Sequence, residues 1–129
     1  MEFYTHTLPN GIRIIHSQVQ HSLVSHLGLF VNAGSRDEEA HEQGIAHYIE
    51  HTLFKGTQRR KAYHILNRLD SVGGDLNAYT TKEYTCIYAS VLNGHYTRAL
   101  DLLSDIAFHS TFPAREISKE KERKVRAVM

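Results

Sequence analysis

The sequence contains a single cysteine, no long apolar run and almost no net charge. Cys86 stands alone, so no disulfide can form within the chain, and its apolar neighbours predict a small buried residue in a strand. No stretch approaches the about 18 consecutive apolar residues of a transmembrane helix. The formal net charge of +1 gives no general reason to expect a nucleic acid or a membrane surface as partner. These absences leave a soluble globular protein as the expected class.

Length and composition support that expectation. The chain has 129 residues, of which 41% are hydrophobic and 22% are charged, as is ordinary for a globular domain with a real core. The first residues, Met1–Tyr4, do not show the pattern of a secretory signal peptide. We therefore expect a cytoplasmic protein with no repeat, linker or low-complexity segment.

The periodicity of apolar residues alternates between that of strands and that of helices. The turn sequence Leu8–Gly11 predicts a hairpin of two short strands at about 2–7 and 12–17. Further strands are predicted from Leu23 to Val31 and, as a second hairpin, over 75–92. Helices are predicted around 45–55, at about 61–72 and at about 94–109. Gly56 is predicted to end the first helix as a left-handed cap, and Gly73-Gly74 to end the second. This order predicts an α+β fold, an antiparallel sheet with helices packed on one face.

The most informative segment is His47-Tyr48-Ile49-Glu50-His51, which has the order H-x-x-E-H. Two histidines four positions apart on a helix lie about one turn from each other, so both imidazoles can reach one metal ion. Glu50 lies on the same side and could take a proton from a metal-bound water. Paired imidazoles are typical of open catalytic zinc sites, so zinc is the expected metal.

The surrounding helix offers a consistency test. An apolar stripe at helical spacing should face the core, with the histidines and Glu50 on the opposite side; it consists of Ile45, Tyr48, Ile49, Thr52 and Leu53. The chain has ten histidines, however, so a chance pairing of solvated side chains remains an alternative on the motif alone.

The flanking sequence resembles the pitrilysin/insulinase family of zinc metallopeptidases, which includes the mitochondrial processing peptidases. The resemblance rests on several motifs in order: Val31–Glu38, Gly44–Thr57, Gly73–Thr80 and Phe112–Ile117. It covers roughly residues 5–122. It implies a metallohydrolase-like domain of the processing-peptidase type, of which residues 1–129 form the N-terminal portion, incomplete at the C-terminus.

The resemblance also implies a set of site residues. His47 and His51 would be zinc ligands, and Glu50 the general base of a zinc-dependent metalloendopeptidase. In that family a later glutamate completes the metal site, but the corresponding position here is Ala127, and no acidic residue follows Glu122. A truncation or a frameshift would explain the basic end of the chain. Glu120 matches a family glutamate that supports the site without being an ordinary ligand; its alternative is a solvated residue of a charged helix.

Partners follow from the same resemblance. Asn77, Ala78 and Tyr79 resemble the family's edge strand, which binds an extended peptide or unfolded polypeptide by strand addition; an ordinary sheet strand is the alternative. Relatives have larger, paired domains, so we expect a second peptidase-type domain or self-association, although a compact monomer is also possible. The competing function is a non-catalytic scaffold or binding fragment of the same fold, which the missing third ligand would favour.

Overall fold

A computed structural model describes residues 3–111, without the side chain of Glu42. The chain begins with a separate two-stranded antiparallel sheet, β1 (Tyr4–Thr7) and β2 (Arg13–His16). The turn between them is closed by a 2.9 Å hydrogen bond from the Gly11 amide to the Leu8 carbonyl, and Gly11 has a positive φ of 94°. The hairpin predicted from Leu8–Gly11 is therefore confirmed.

The main sheet is antiparallel and has the order β3–β5–β4. Its strands are β3 (Val24–Val31), β4 (Asp75–Thr80) and β5 (Thr85–Leu92), with β5 in the centre. The register pairs Ala78 with Ile87 and Thr80 with Thr85. Within residues 3–111, β3 and β4 are both edge strands, so each presents one row of backbone groups that no strand pairs.

Within residues 3–111, three helices accompany this sheet: α1 (Ile45–Thr52), α2 (Ala62–Asp70) and α3 (Tyr96–His109). Short 3-10 turns lie at Ser35–Asp37, Ala40–Glu42, Leu53–Lys55 and Asn93–His95. None of the helices described between residues 3 and 111 is both long and apolar enough to cross a membrane. The predicted α+β class and the order of its elements are confirmed.

The core lies between one face of the sheet and the helices. Strand β5 and helix α3 supply most of its buried side chains, which in the described part of the chain are Leu53, Ile65, Leu69, Ile87, Ala89, Val91, Ala99, Leu102, Leu103 and Ile106. The opposite face of the sheet carries aromatic rings that cover Cys86, which is 1% exposed. Burial raises the pKa of its thiol. The prediction that Cys86 is a small buried strand residue is confirmed.

The prediction that the apolar stripe of α1 faces the core is only partly correct. Thr52 and Leu53 are buried, but Ile45 and Ile49 remain 44% and 39% exposed. The two isoleucines line an open groove of about 360 Å³ whose other walls come from β3, β5 and α3. The described part of the chain places no layer over this groove, so half of the stripe stays in contact with solvent.

The glycines predicted to end two helices behave differently. Gly73 has a φ of 73°, and the amides of Gly73 and Gly74 bond to carbonyls in the last turn of α2, as a helix-ending glycine pair should. Gly56 was predicted as a left-handed cap, which is wrong, because its φ of 159° and ψ of 145° are extended. It instead forms an antiparallel bridge with Lys61, which turns the chain sharply towards α2.

Candidate active site

Helix α1 carries the three residues of the H-x-x-E-H motif. His47 and His51 are exposed, and Glu50 between them is half-buried. The two histidines are exposed, as the prediction expected, but Glu50, which was predicted on the same solvent-facing side, is half-buried against the sheet. Solvent access at the imidazoles and partial burial at the carboxylate suit a site that must admit both a metal ion and a substrate.

The N-terminus of α1 is held by Glu38. Its carboxylate accepts hydrogen bonds from the amides of Gly44, at 2.9 Å, and Ala46, at 2.8 Å. A negative charge at this end of a helix is favoured by the helix dipole and satisfies amides that lack a partner within the helix. Gly44 reaches this position with a φ of 89°, a conformation that favours glycine.

The chain beyond the other end of α1 is held by Asp105 on α3. The buried carboxylate of Asp105 accepts a 2.6 Å hydrogen bond from Thr57 and another from Arg60, whose guanidinium also reaches Asp101. Burial raises the pKa of Asp105, but the bonds from Thr57 and Arg60 outweigh it and leave that pKa below its usual range. Carboxylates from outside α1 thus hold its N-terminus and the segment that follows its C-terminus.

The carboxylate of Glu50 is itself bonded to the sheet. Thr80, the last residue of β4, donates a 2.6 Å hydrogen bond from Oγ1 to Glu50 Oε2. This distance lies in the range of bonds between a hydroxyl and an ionised carboxylate. It is a direct polar link between the motif helix and the strand predicted to bind substrate.

Strand β4 offers its outer edge beside this link. The Thr81 amide bonds the Tyr84 carbonyl at 2.8 Å, so the alternation of an antiparallel ladder turns the amides of Ala78 and Thr80 away from β5. The side-chain oxygen of Asn77 accepts a 3.0 Å hydrogen bond from the Ala78 amide. An incoming strand would therefore replace the Asn77 side chain at that amide.

The three predicted substrate residues do not share one face. Ala78 packs against the core on the helix side, whereas Asn77 is exposed and Tyr79 contacts the rings of Tyr84 and Tyr88. The pKa of Tyr79 is raised, and the hydrogen bond with Tyr84 contributes most to this shift. What the three residues share is the edge of the strand, which is where their predicted role lies.

The structure unites only part of the predicted metal site. Among residues 3–111, no group of three His, Cys, Asp or Glu side chains is arranged to hold a metal ion. His47 and His51 can supply two imidazole ligands, a donor set that suits zinc. Glu120 and Ala127 lie outside the described residues.

Two residues at this site received no role from the sequence. Glu38 and Thr80 both lie within motifs that carry the family resemblance, but single-sequence patterns do not show which carboxylate bonds which amide. For Glu38, the available signal is an acidic residue a few positions before the start of the motif helix, where helix amides lack partners. Thr80 gave none, because its partner lies thirty positions away along the chain.

Comparison with known proteins identifies the family of this chain. The sequence profile described as Insulinase (Peptidase family M16) matches residues 13–128. The chain belongs to this family, and the resemblance found from the motifs is confirmed.

Individual relatives agree with that assignment. The chain is 44% identical over 116 residues to an uncharacterised zinc protease, YmxG, of Bacillus subtilis, covering 90% of this chain and 28% of YmxG. It is 39% identical over 118 residues to the mitochondrial-processing peptidase subunit beta of Saccharomyces cerevisiae, covering 92% of this chain and 26% of that protein. The chain thus spans about a quarter of the length of these relatives. The expected cofactor, zinc, agrees with the name of the bacterial relative.

A solved structure supports the fold. A protease from Helicobacter pylori superposes with a TM-score of 0.89 at 24% identity, over 94% of this chain and 29% of that one. The α+β arrangement predicted as a metallohydrolase-like domain is therefore the fold of a known protease.

Proposed function

We propose that this chain is the histidine-bearing N-terminal portion of a zinc-dependent metalloendopeptidase domain. One observation carries the proposal: α1 presents His47 and His51 to solvent, while Glu50 between them is bonded to the end of the edge strand β4. A metal-binding pair, a carboxylate base and a peptide-binding edge are the three parts that hydrolysis of an extended chain requires.

The proposed ligands are His47 and His51. Bound there, zinc would polarise a peptide carbonyl and lower the pKa of a bound water. The family's third ligand aligns with Ala127, so the proposed site lacks the carboxylate that completes it in relatives. Glu120 keeps its proposed role as a supporting carboxylate.

Glu50 is the proposed general base. Its carboxylate takes a proton from the attacking water and delivers it to the leaving amine, so no covalent intermediate is needed. Being half-buried and hydrogen-bonded, this side chain has fewer accessible rotamers than an exposed glutamate, which keeps the acceptor oxygen near the reacting atoms.

The proposed substrate is an extended peptide or unfolded polypeptide. It would add as a strand to the edge of β4 at Asn77, Ala78 and Tyr79, where backbone groups supply affinity with little sequence preference. One relative is named as a subunit, and the chain spans about a quarter of its relatives, so we propose a second peptidase-type domain or a second copy as the partner.

The test is Glu50→Gln in the zinc-loaded protein, with hydrolysis of an unstructured, internally quenched peptide as the assay. Glutamine keeps the shape but cannot accept the proton, and loss of a general base lowers turnover on the order of a hundredfold to ten-thousandfold. Zinc content should not change. Glu83→Gln, an exposed substitution in the β4–β5 turn, is the matched control.

Two results would contradict the proposal. Equal hydrolysis by the wild type and Glu50→Gln would remove Glu50 from the mechanism. Absence of hydrolysis by the zinc-loaded wild type would favour the non-catalytic scaffold, which would bind a folded partner and ignore short peptides.

A further inference from the structure

Three threonines cluster where β4 turns into β5, and their hydroxyls have different partners. Thr81 bonds within its own turn, donating to the Tyr84 carbonyl and accepting from the Glu83 amide. Thr85 donates to the carbonyl of Ala33 at 2.9 Å. Thr80 alone of the three donates to a side-chain carboxylate, Glu50 Oε2. Two of these hydroxyls stabilise backbone, while the third acts on a side chain of the proposed site.

Because the two side chains differ in flexibility, this hydrogen bond restricts the rotamers of Glu50. Threonine is β-branched and stiff at χ1, and Thr80 sits in a paired position of the sheet, opposite Thr85. Glutamate has three rotatable side-chain bonds and orders itself only where something holds it. The stiff partner therefore fixes the flexible one. The bond engages Oε2 of the carboxylate.

We propose that Thr80 is a positioning residue for Glu50: its hydroxyl fixes the carboxylate of the base relative to the edge of β4. The proposal rests on the proposed role of Glu50 as base. Thr80 stands two residues from Ala78, whose outward amide belongs to the peptide-binding edge. One strand thus contacts the base through Thr80 and also offers the proposed peptide-binding edge, so the carboxylate of Glu50 is tied to the strand that would bind the substrate backbone.

Removal of the Thr80–Glu50 hydrogen bond has different consequences if the bond only stabilises the fold and if it positions the base. If the link served only to fasten α1 to the sheet, its removal would lower the stability of the protein and leave Glu50 ordered by its neighbours. If it positions the base, its removal would free the Glu50 side chain and lower turnover more than substrate binding. Thr80→Val removes the hydroxyl while keeping size and β-branching. Thr80→Ser restores the hydroxyl, and Thr85→Val deletes a hydroxyl from the paired position as a control.

The first measurement needs neither zinc nor turnover. The two Hγ protons of Glu50 are followed by NMR in the metal-free 129-residue protein at a fixed neutral pH. Thr80→Val should make their shifts converge, as rotamer averaging requires, whereas Thr80→Ser and Thr85→Val should keep them distinct. Unchanged Glu50 signals in Thr80→Val would overturn the proposal, whatever the activity.

The second measurement is the hydrolysis of the same quenched peptide by the zinc-loaded variants. Thr80→Val should lower kcat by roughly ten- to a hundredfold with KM little changed, since the base is displaced while the substrate edge is kept. Thr80→Ser should recover most of the rate. A wild-type kcat in Thr80→Val, beside a Glu50→Gln protein that is inactive, would refute this inference alone. A fully active Glu50→Gln protein would refute the proposed function beneath it.

Discussion

Thr57 donates a 2.6 Å hydrogen bond to the carboxylate of Asp105, across 48 positions of sequence, and so ties the chain after the motif helix to α3. Both side chains are buried. The Thr57 hydroxyl also accepts bonds from the amides of Arg59 and Arg60, which shapes the turn that follows Gly56. The segment that follows the motif helix is therefore fixed by a carboxylate of α3.

Substitution of Asp105 by asparagine should destabilise the protein more than the same change at Asp101. Asp105→Asn weakens charge-assisted bonds to Thr57 and Arg60 at a fully buried site, for which we expect a loss of about 2–3 kcal/mol in the free energy of unfolding. The Asp101 side chain is 45% exposed, so Asp101→Asn should cost less than about 1 kcal/mol. Urea unfolding at neutral pH measures both, and equal losses would contradict the ranking.

The same pair of carboxylates predicts the response to acid. The hydrogen bond from Arg60 lowers the pKa of Asp101, and the bonds from Thr57 and Arg60 lower that of Asp105 in spite of its burial. A carboxyl whose pKa is lower in the folded state stabilises the protein above its unfolded pKa of about 3.9, and this stability is lost as the pH falls through the folded pKa. The wild type should therefore lose stability below about pH 4 more steeply than Asp105→Asn. If urea unfolding shows the same loss of unfolding free energy in the wild type and in Asp105→Asn between pH 6 and pH 3, this contribution of Asp105 is excluded.

The sequence predicted the elements of this fold better than their environments. Strands β1–β5 and helices α2 and α3 lie within a few residues of the predicted ranges, because turn residues and apolar periodicity are local signals. The exposure of Ile45 and Ile49 could not be predicted, since a helical stripe shows which face is apolar and not what covers it. For the site, the motif identified His47, Glu50 and His51, whereas the partners of Glu50 and of the helix ends depend on contacts between distant segments.

Gly34 should not tolerate alanine, although its backbone lies in a region open to any residue. A Cβ at Gly34 would meet the carbonyl oxygen of Thr81 and approach the carbonyl of Lys82 to 2.6 Å, and neither backbone group can rotate away. These two carbonyls accept hydrogen bonds from the amides of Ser35 and Arg36. The clash would therefore break these bonds and move the segment leading to Glu38 away from the sheet. We expect a loss of about 2–3 kcal/mol in unfolding free energy.

Gly94→Ala is the matched control for Gly34→Ala. Nothing lies within 4 Å of a Cβ at Gly94, so the substitution should change stability by less than about 1 kcal/mol. Thermal unfolding of both variants compares them directly. A Gly34→Ala protein as stable as the Gly94→Ala protein would show that the turn at Thr81 moves freely.

Zinc binding should depend on both motif histidines. His47→Ala and His51→Ala should each abolish the heat of zinc binding in calorimetry, because losing a ligand from a site with two described imidazoles leaves no chelate. His64→Ala, which removes an exposed imidazole from α2, should bind zinc as the wild type does. Tight stoichiometric zinc binding by His51→Ala would contradict the assignment of His51 as a ligand.

The third ligand gives the complementary experiment. The family resemblance aligns Ala127 with the glutamate that completes the metal site in relatives. Ala127→Glu should therefore increase zinc affinity by at least tenfold, and a His51→Ala change should cancel the gain if the same ion is bound. An affinity equal to that of the wild type would show that a carboxylate at this position does not reach the histidines.

Proline at Ala78 should weaken peptide binding without affecting zinc. The Ala78 amide points away from β5 and is bonded only to the side chain of Asn77, so proline removes no bond of the sheet ladder but does remove a donor from the free edge. Titration of an unstructured peptide, followed by NMR, should give shifts clustered at residues 76–80 and 47–51 in the wild type. In Ala78→Pro the dissociation constant of the peptide should rise about tenfold, as the loss of one hydrogen bond predicts.

The zinc affinity of Ala78→Pro is the control, because it reports whether the metal site has survived the substitution. Wild-type peptide affinity in a folded, zinc-competent Ala78→Pro protein would exclude β4 as the peptide-binding edge, and shifts elsewhere in the chain would favour the scaffold.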